Sequence, residues 1–266
     1  MTPRFCLIGL DEPQSSILKA RIAGPMSIHE TLPRIIVRDG GLFVESASGF
    51  SLVPVSKVVF HGIFEDDHDF IAALALWGGP TLPNARAMMD CRLKLPCLVR
   101  ALQFTTCGPP LRGFASAGIE YTTSVERVAK WGNWHCGENK ERFTDQWTAR
   151  EAAIVEQFLP GDAVRVVVVG DRHWQIRLEG DGWLKSIHHP TATLMQPDPR
   201  LVADTHRVAK GLGLEIAAND YIVTADGTPH LLEVNHIPSV TRFPEIWEAY
   251  ADFVTAWVND AGHSAA

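Results

Sequence analysis

Residues 164–180 constrain the fold more than any other segment, because VRVVVVGDRHWQIRLEG reads as two β-strands joined by a tight turn. β-Branched and aromatic residues flank a Gly-Asp dipeptide, a pattern typical of hairpins. A second hairpin with an Asp-Gly turn is predicted over residues 219–239. The amphipathic segment 198–214 between them and the closing segment 244–260 predict helices. The C-terminal half is therefore expected to combine antiparallel hairpins with helices.

The N-terminal third alternates predicted strands with a predicted helix. Residues 4–10 read as a buried strand, residues 34–37 and 42–45 as a hairpin, and residues 55–64 as a further strand. Residues 68–78 are rich in Ala and Leu and stop at Gly-Gly-Pro, which predicts a helix and its end. This alternation predicts a small α/β lobe.

The middle of the chain is predicted to be mixed. Residues 84–104 read mainly as helix, with Pro96 at a kink or in a first helical turn. Two short strands are predicted over 118–123 and 124–131, followed by a loop. Residues 144–159 are predicted to begin as loop or helix and to become a strand.

Charge and cysteine content exclude several classes of protein. The 266 residues carry a formal net charge of -7, whereas general nucleic-acid binders are usually basic. No apolar run approaches the roughly 20 residues that span a bilayer. From the charge and from the absence of such a run, neither nucleic acid nor a membrane is an expected partner. The five cysteines form no CxxC pair, which favours a reducing cytoplasm over a disulfide framework. Cys136, in a glycine-containing segment, is the cysteine to watch for reactivity.

Three oxygen-bearing residues near the C-terminus could bind a hard cation. On a strand, Glu233 and Asn235 project from one face, about 7 Å apart. Asp220 lies on the preceding arm of the same predicted hairpin. Carboxylate and amide oxygens suit Mg²⁺ or Mn²⁺. An isolated Glu-x-Asn pair more often lies on a solvated strand face, so the surrounding sequence decides between these readings.

Residues 212–239 (LGLEIAANDYIVTADGTPHLLEVNHIPS) resemble the C-terminal signature of ATP-grasp enzymes. The likeness comprises LGL, an Asp, a hairpin turn, Glu-x-Asn and a following Pro. It implies that Asp220 and Glu233 hold one or two magnesium ions on the ATP phosphates, and that Asn235 completes the shell of the second ion.

The resemblance extends upstream to two lysines. Residues 89–99 (MDCRLKLPCLV) resemble the segment of bacterial glutathione synthetases that carries the first nucleotide lysine, which implies Lys94. Residues 124–140 (SVERVAKWGNWHCGENK) resemble the next strand, whose lysine is Lys130. A lysine ammonium is a compact point charge suited to phosphate. The loop after Lys130 has fewer glycines than the loop that covers phosphates in the family.

The adenine pocket is expected around residues 156–162. Here the chain resembles the linker that lines adenine in the family. The likeness implies that the backbone of Gln157, Phe158 and Leu159 contacts adenine, with Glu156 beside it. Asp162 is the candidate ribose acceptor, about one residue from the family spacing.

Two arginines match those on the hairpin arms of the family, and Arg165 and Arg177 are therefore expected to be catalytic. A three-residue turn would set them on one face, and a two-residue turn on opposite faces. The sequence leaves both open.

Lys185 stands where related enzymes commonly have an arginine, and it is expected to help Arg177 steady an acyl phosphate. Ile187 occupies the position of the usual asparagine, which departs from the family pattern. His188 and His189 read either as bases or as solvated loop residues.

The resemblance implies an ATP-grasp fold of mixed α+β and α/β class, whose lobes clasp the nucleotide. Residues 1–87 would form an N-terminal pre-ATP-grasp α/β lobe and 88–155 a small ATP-grasp lobe. Residues 156–262 would form the C-terminal lobe with the metal site.

The implied activity is that of an ATP-dependent carboxylate–amine ligase that uses Mg²⁺ or Mn²⁺ and forms an amide through an acyl phosphate. The expected partners are small-molecule or peptide carboxylates and amines, and a homodimer is compatible with the family. Two alternatives stay open: a phosphotransferase on the same scaffold, and a non-catalytic nucleotide-binding protein.

Overall fold

The computed structural model describes residues 4–46, 48–108, 111–132 and 139–260. These residues form two compact units. The first comprises Met1–Asp90, Gly213–Ile216 and His236–Ala266, and the second comprises Cys91–Leu212 and Ala217–Asn235. Among the described residues, no helix has both the length and the apolar character needed to cross a membrane.

The first unit opens with seven strands and three helices. The strands are β1 (Phe5–Ile8), β2 (Met26–His29), β3 (Ile35–Arg38), β4 (Gly41–Glu45), β5 (Leu52–Val55), β6 (Lys57–Phe60) and β7 (Thr81–Leu82). The helices are α1 (Glu12–Arg21), α2 (His68–Trp77) and α3 (Ala85–Cys91). Strands β2-β1-β6-β7 form a parallel sheet, and β3-β4-β5 form an antiparallel one.

The core of this unit follows from its apolar strands. Strands buried on both faces read as nearly continuous apolar runs, and all four residues of β1 are buried. Helix α2 buries Phe70, Ile71 and Leu74. The predicted strand 4–10, hairpin 34–45 and helix 68–78 are confirmed.

The second unit contains two helices and nine strands. The helices are α4 (Lys94–Ala101) and α5 (Pro199–Leu212). The strands are β8 (Arg112–Ala115), β9 (Glu120–Trp131), β10 (Lys140–Thr148), β11 (Ala153–Gln157), β12 (Gly161–Val169), β13 (Arg172–Arg177), β14 (Thr193–Met195), β15 (Ile216–Thr224) and β16 (Pro229–Asn235). The sheet orders are β10-β9-β11-β8 and β14-β13-β12-β15-β16.

Both predicted C-terminal hairpins are confirmed. Val169 of β12 pairs with Arg172 of β13, so the turn has two residues, and Gly170 takes φ 55°, a left-handed value that favours glycine. Strands β15 and β16 form the second hairpin. Helix α5 packs against β12, as its amphipathic pattern predicts.

Two predictions for residues 118–159 were wrong in detail. The two short strands are one continuous strand, β9. Its pairing with β10 skips residues 124–126 of β9 against residue 144 of β10, at the boundary predicted between the two short strands. A β-bulge absorbs the irregularity without ending a strand. Most of the segment read as loop or helix after residue 144 is strand β10.

The last helix, α6 (Pro244–Asn259), belongs to the first unit rather than to the C-terminal lobe predicted over 156–262. Arg21 of α1 donates to Glu248 and Asp252 of α6. Lys57 of β6 donates to carbonyls at the end of α6. These contacts attach the helix to the first unit. The boundaries of the two predicted ATP-grasp lobes stay a prediction.

Candidate active site

A cavity of about 490 Å³ lies within the second unit. Its lining joins residues from the sheet of β8–β11 and from the sheet of β12–β16. Apolar side chains include Val128, Leu159, Ile222 and Leu232, and charged ones include Lys130, Lys140, Glu156, Asp220 and Glu233. An apolar pocket with a few convergent charges is the usual form of a ligand site.

Two predicted metal ligands face each other in this cavity. Asp220 of β15 is directly opposite Glu233 of β16, and the next pair is Tyr221 with Leu231. Leu232 is therefore an extra, bulged residue. Bulges are common beside active sites because they re-aim side chains. Here Leu232 and Glu233 are consecutive and both line the cavity.

The third predicted ligand, Asn235, follows on β16 and is 6% exposed. It is not part of the cavity lining, and its Nδ2 donates no hydrogen bond within the described residues. Those residues contain no group of three or more His, Cys, Asp or Glu that could hold a metal. Mg²⁺ usually takes one or two carboxylates plus phosphate and water oxygens, so Asp220 and Glu233 fit it.

Protein cations neutralise both carboxylates. Arg165 of β12 donates to Asp220 through Nε at 2.6 Å and Nη2 at 2.8 Å. Lys140 Nζ lies 3.9 Å from Glu233 Oε2. Burial lowers the pKa of Lys140, and Lys130 and Lys94 add to this, against the opposing effect of Glu233.

Glu156 of β11 anchors a second charge cluster. It is 2% exposed, forms an ion pair with Lys130, and accepts from Arg112 Nε at 2.8 Å. Burial disfavours its charged form, but Lys130 and Arg112 outweigh this and lower the pKa of Glu156. The carboxylate thus fixes the position of Lys130, which lines the cavity.

Lys94, the first residue of α4, lines a neighbouring cavity of about 290 Å³. Lys130, Glu156, Leu232 and Glu233 line both cavities. The two predicted nucleotide lysines are therefore brought to adjoining spaces, with Lys130 common to both.

The predicted adenine segment also lines the larger cavity. Gln157, Phe158 and Leu159 all contribute to it. Gly161 ends the segment close to β15, since an added Cβ would lie 2.4 Å from the Val223 carbonyl oxygen. Asp162, the predicted ribose acceptor, is exposed and is not among the lining residues.

The two predicted catalytic arginines are not brought together. Arg165 pairs with Ile176, so the adjacent Arg177 projects from the opposite face of β13, where it is exposed. The two-residue turn fixes this register. Arg177 is absent from the lining of both cavities.

The segment after β13 contributes one predicted residue. Lys185 lines the larger cavity and donates to the Gly180 carbonyl at 3.2 Å. Ile187 is buried, at 3% exposure. His189 contacts Thr191 and Asp181, and His188 is exposed.

Several solved structures share the fold of this chain. No protein-family model and no curated protein matches the sequence. The ATP-grasp ligase PsnB, solved with a minimal precursor, superposes with a TM-score of 0.65 at 16% identity, covering 97% of this chain and 99% of that one. D-alanyl-alanine synthetase A from Vibrio cholerae O1 biovar eltor gives 0.63 at 16%, covering 97% and 98%. VanG D-Ala:D-Ser ligase from Enterococcus faecalis gives 0.64 at 14%, covering 97% and 99%.

The chain has the ATP-grasp fold. The predicted fold class is thus confirmed. At these identities the likeness establishes the fold alone, so the roles of individual side chains rest on the geometry of the cavity.

Three charged residues in or beside the larger cavity were not predicted from the sequence. Lys140 and Arg112 belong to the charge clusters. Arg142 lies over the Phe158 ring at 3.9 Å and near Trp183, which lines the cavity. Lys140 could have been found from a hairpin pairing of the strands on either side of the loop. Part of that loop, residues 133–138 with Cys136, lies outside the described residues.

Four other cysteines lie within the described residues. Cys6, Cys91, Cys97 and Cys107 are free thiols in buried positions. Burial raises the pKa of the Cys6 thiol to about 12, which keeps it protonated and unreactive.

Proposed function

We propose that this chain is an ATP-dependent carboxylate–amine ligase that works with magnesium. One observation carries the proposal: Lys130 and Lys140 line the same cavity as the opposed carboxylates Asp220 and Glu233. Phosphoryl transfer depends mainly on positioning and on cations around the phosphates, and this arrangement supplies lysines and a magnesium-binding pair together.

The nucleotide is expected to lie along the cavity. Its base would lie among Val128, Leu159, Ile222 and Leu232, against the segment that begins at Gln157. Its phosphates would meet the lysine ammonium groups, with Lys94 reaching from the adjoining cavity. Asp220 and Glu233 would hold magnesium, which would supply charge neutralisation on the phosphates. Asn235, two residues along β16 from Glu233, is the candidate for a further oxygen ligand.

The proposed reaction has two steps. A carboxylate oxygen of the substrate attacks the γ-phosphorus of ATP, and the bond to ADP breaks. An amine nitrogen then attacks the carbonyl carbon of the acyl phosphate. The C–N bond forms, the nitrogen releases a proton to solvent, and phosphate leaves with the C–O electron pair. Lys185 and Arg165 are the candidates to steady the acyl phosphate, since Lys185 lines the cavity and Arg165 is bonded to Asp220.

The substrate class is open between peptides and small amino acids. PsnB was solved with a minimal precursor, and another structural neighbour, the macrocyclase MdnC from Microcystis aeruginosa, was solved with a precursor peptide. Two further neighbours are D-alanyl-alanine synthetase A and VanG D-Ala:D-Ser ligase. We propose a carboxylate and an amine from one of these classes, acting in the cytoplasm. The homodimer stays a prediction.

The test is ADP release from Mg·ATP with pools of amino acids and of short peptides, followed by mass spectrometry. An amide, ADP and free phosphate support the ligase. A phosphorylated acceptor indicates a phosphotransferase instead, and nucleotide binding without turnover indicates a non-catalytic protein. Glu233→Gln should abolish turnover, whereas Asp171→Asn, in the exposed β12–β13 turn, should leave it unchanged.

A further inference from the structure

Two lysines are held opposite each other in the cavity at an energetic cost. Lys130 of β9 pairs directly with Lys140 of β10, and their side chains are 13% and 17% exposed. Like charges directly opposite on a sheet destabilise it. Each lysine is instead compensated by its own carboxylate, Glu156 for Lys130 and Glu233 for Lys140.

The ion pairs Lys130–Glu156 and Lys140–Glu233 differ in how firmly they are held. Glu156 is also bound by Arg112, so the Lys130 cluster is a fixed part of the fold. Glu233 is a proposed magnesium ligand, and Lys140 approaches it only to 3.9 Å. By comparison, Arg165 holds the opposing Asp220 through two bonds of 2.6 and 2.8 Å. Lys140 is therefore the more loosely held cation of the carboxylate pair.

We infer that Lys140 occupies the place of a divalent cation at Glu233 while nucleotide is absent, and turns to the phosphates as a third lysine when Mg·nucleotide binds. Its flexible stem and compact charge suit such a movement. This inference rests on the proposed function, because it takes the ligand of the cavity to be a magnesium nucleotide.

Lys140→Met should have opposite effects on the binding of a free metal ion and on the binding of a magnesium nucleotide. Lys140→Met removes a cation that competes for Glu233, so Mn²⁺ without nucleotide should bind several-fold more tightly, measured by electron paramagnetic resonance. The same variant should bind Mg·ADP about ten- to a hundredfold more weakly, because a charge-assisted contact to phosphate is lost. Calorimetry should show no such loss for adenosine, which lacks phosphates.

Three further variants make the test specific. Lys140→Arg should keep both affinities near the wild type, since the charge is retained. Lys210→Met, at an exposed position of α5, should change neither. Lys140→Gln, a polar neutral replacement, is measured alongside and should behave like Lys140→Met, with thermal melts to verify folding.

The outcomes separate the two proposals. If the wild type binds Mg·ADP and the neutral variants bind both ligands normally, the role of Lys140 is overturned and the proposed function stands. If both affinities fall together, Lys140 is only structural, and the inference is overturned. If the wild type does not bind Mg·ADP, the proposed function fails and the movement of Lys140 to the phosphates is overturned with it. Tighter Mn²⁺ binding by the variants would then support only the contact of Lys140 with Glu233.

Discussion

Asp220 lies directly opposite Glu233 across the β15–β16 ladder, and both side chains line the same cavity. Two carboxylates this close repel each other, and each faces a protein cation, Arg165 or Lys140. A bound metal ion could replace part of the positive charge that Arg165 and Lys140 now place beside these carboxylates.

Glu233→Gln should remove the magnesium dependence of nucleotide binding. The substitution keeps the shape of the side chain but removes the charge that a hard cation requires. Calorimetry should show that Mg²⁺ strengthens ADP binding to the wild type but not to the variant. Equal magnesium dependence in both proteins would argue against Glu233 as a ligand, and Asp171→Asn serves as the charge-matched control.

Lys130→Met should weaken Mg·ADP binding and also destabilise the fold. Glu156 would keep only Arg112 as a partner, and a poorly compensated buried charge costs about 1–3 kcal/mol. Adding Glu156→Gln should recover part of the free energy of unfolding without restoring binding. A double variant that regains binding would contradict a direct role for Lys130 at the phosphates.

Arg165→Gln and Arg177→Gln should differ strongly. Arg165 is bonded to Asp220 in the cavity, whereas Arg177 is exposed on the other face of the sheet. We expect ADP formation to fall at least tenfold for Arg165→Gln, because a buried charged contact is lost. For Arg177→Gln we expect a change of less than about twofold, because substitution of a surface residue has little effect. A larger loss for Arg177→Gln would contradict the placement of Arg177 on the face of β13 away from the cavity.

The first unit should lose stability in mild acid because of His61. Burial lowers the pKa of His61 to about 4 from an ordinary 6.5, and its ring contacts Tyr250. The unfolded state therefore binds a proton more readily, so the free energy of unfolding should fall as pH drops from 6.5 towards 4. His61→Phe keeps a ring beside Tyr250 and should flatten this part of the profile in denaturant titrations. An unchanged pH profile would contradict the assignment.

The fold could be predicted where local signals are strong. The Gly170–Asp171 turn and the helix stop at Gly78 mark element ends through backbone geometry that residues favour locally. The continuity of β9 could not be predicted, because residues 124–126 leave the pairing register with β10 without ending the strand. The assignment of α6 to the first unit depends on contacts of Arg21 and Lys57, which are distant in sequence.

Within the candidate site, too, the residues that could be predicted are those whose positions depend on local structure. Glu233 and Asp220 could be found because strand alternation and one hairpin place them together. Lys140 was missed because its position depends on pairing with Lys130 across a loop. Arg177 was expected at the site because it matches an arginine of the family. The turn length, which decides the face of β13 on which it lies, could not be read from the sequence.

The most direct test of the account is a crystal structure with magnesium and a non-hydrolysable ATP analogue. The account predicts the base against the segment that begins at Gln157, phosphates within hydrogen-bonding reach of Lys130 and Lys140, and a magnesium ion about 2.1 Å from an oxygen of Glu233. A nucleotide bound outside this cavity, or a metal that contacts neither Asp220 nor Glu233, would contradict it.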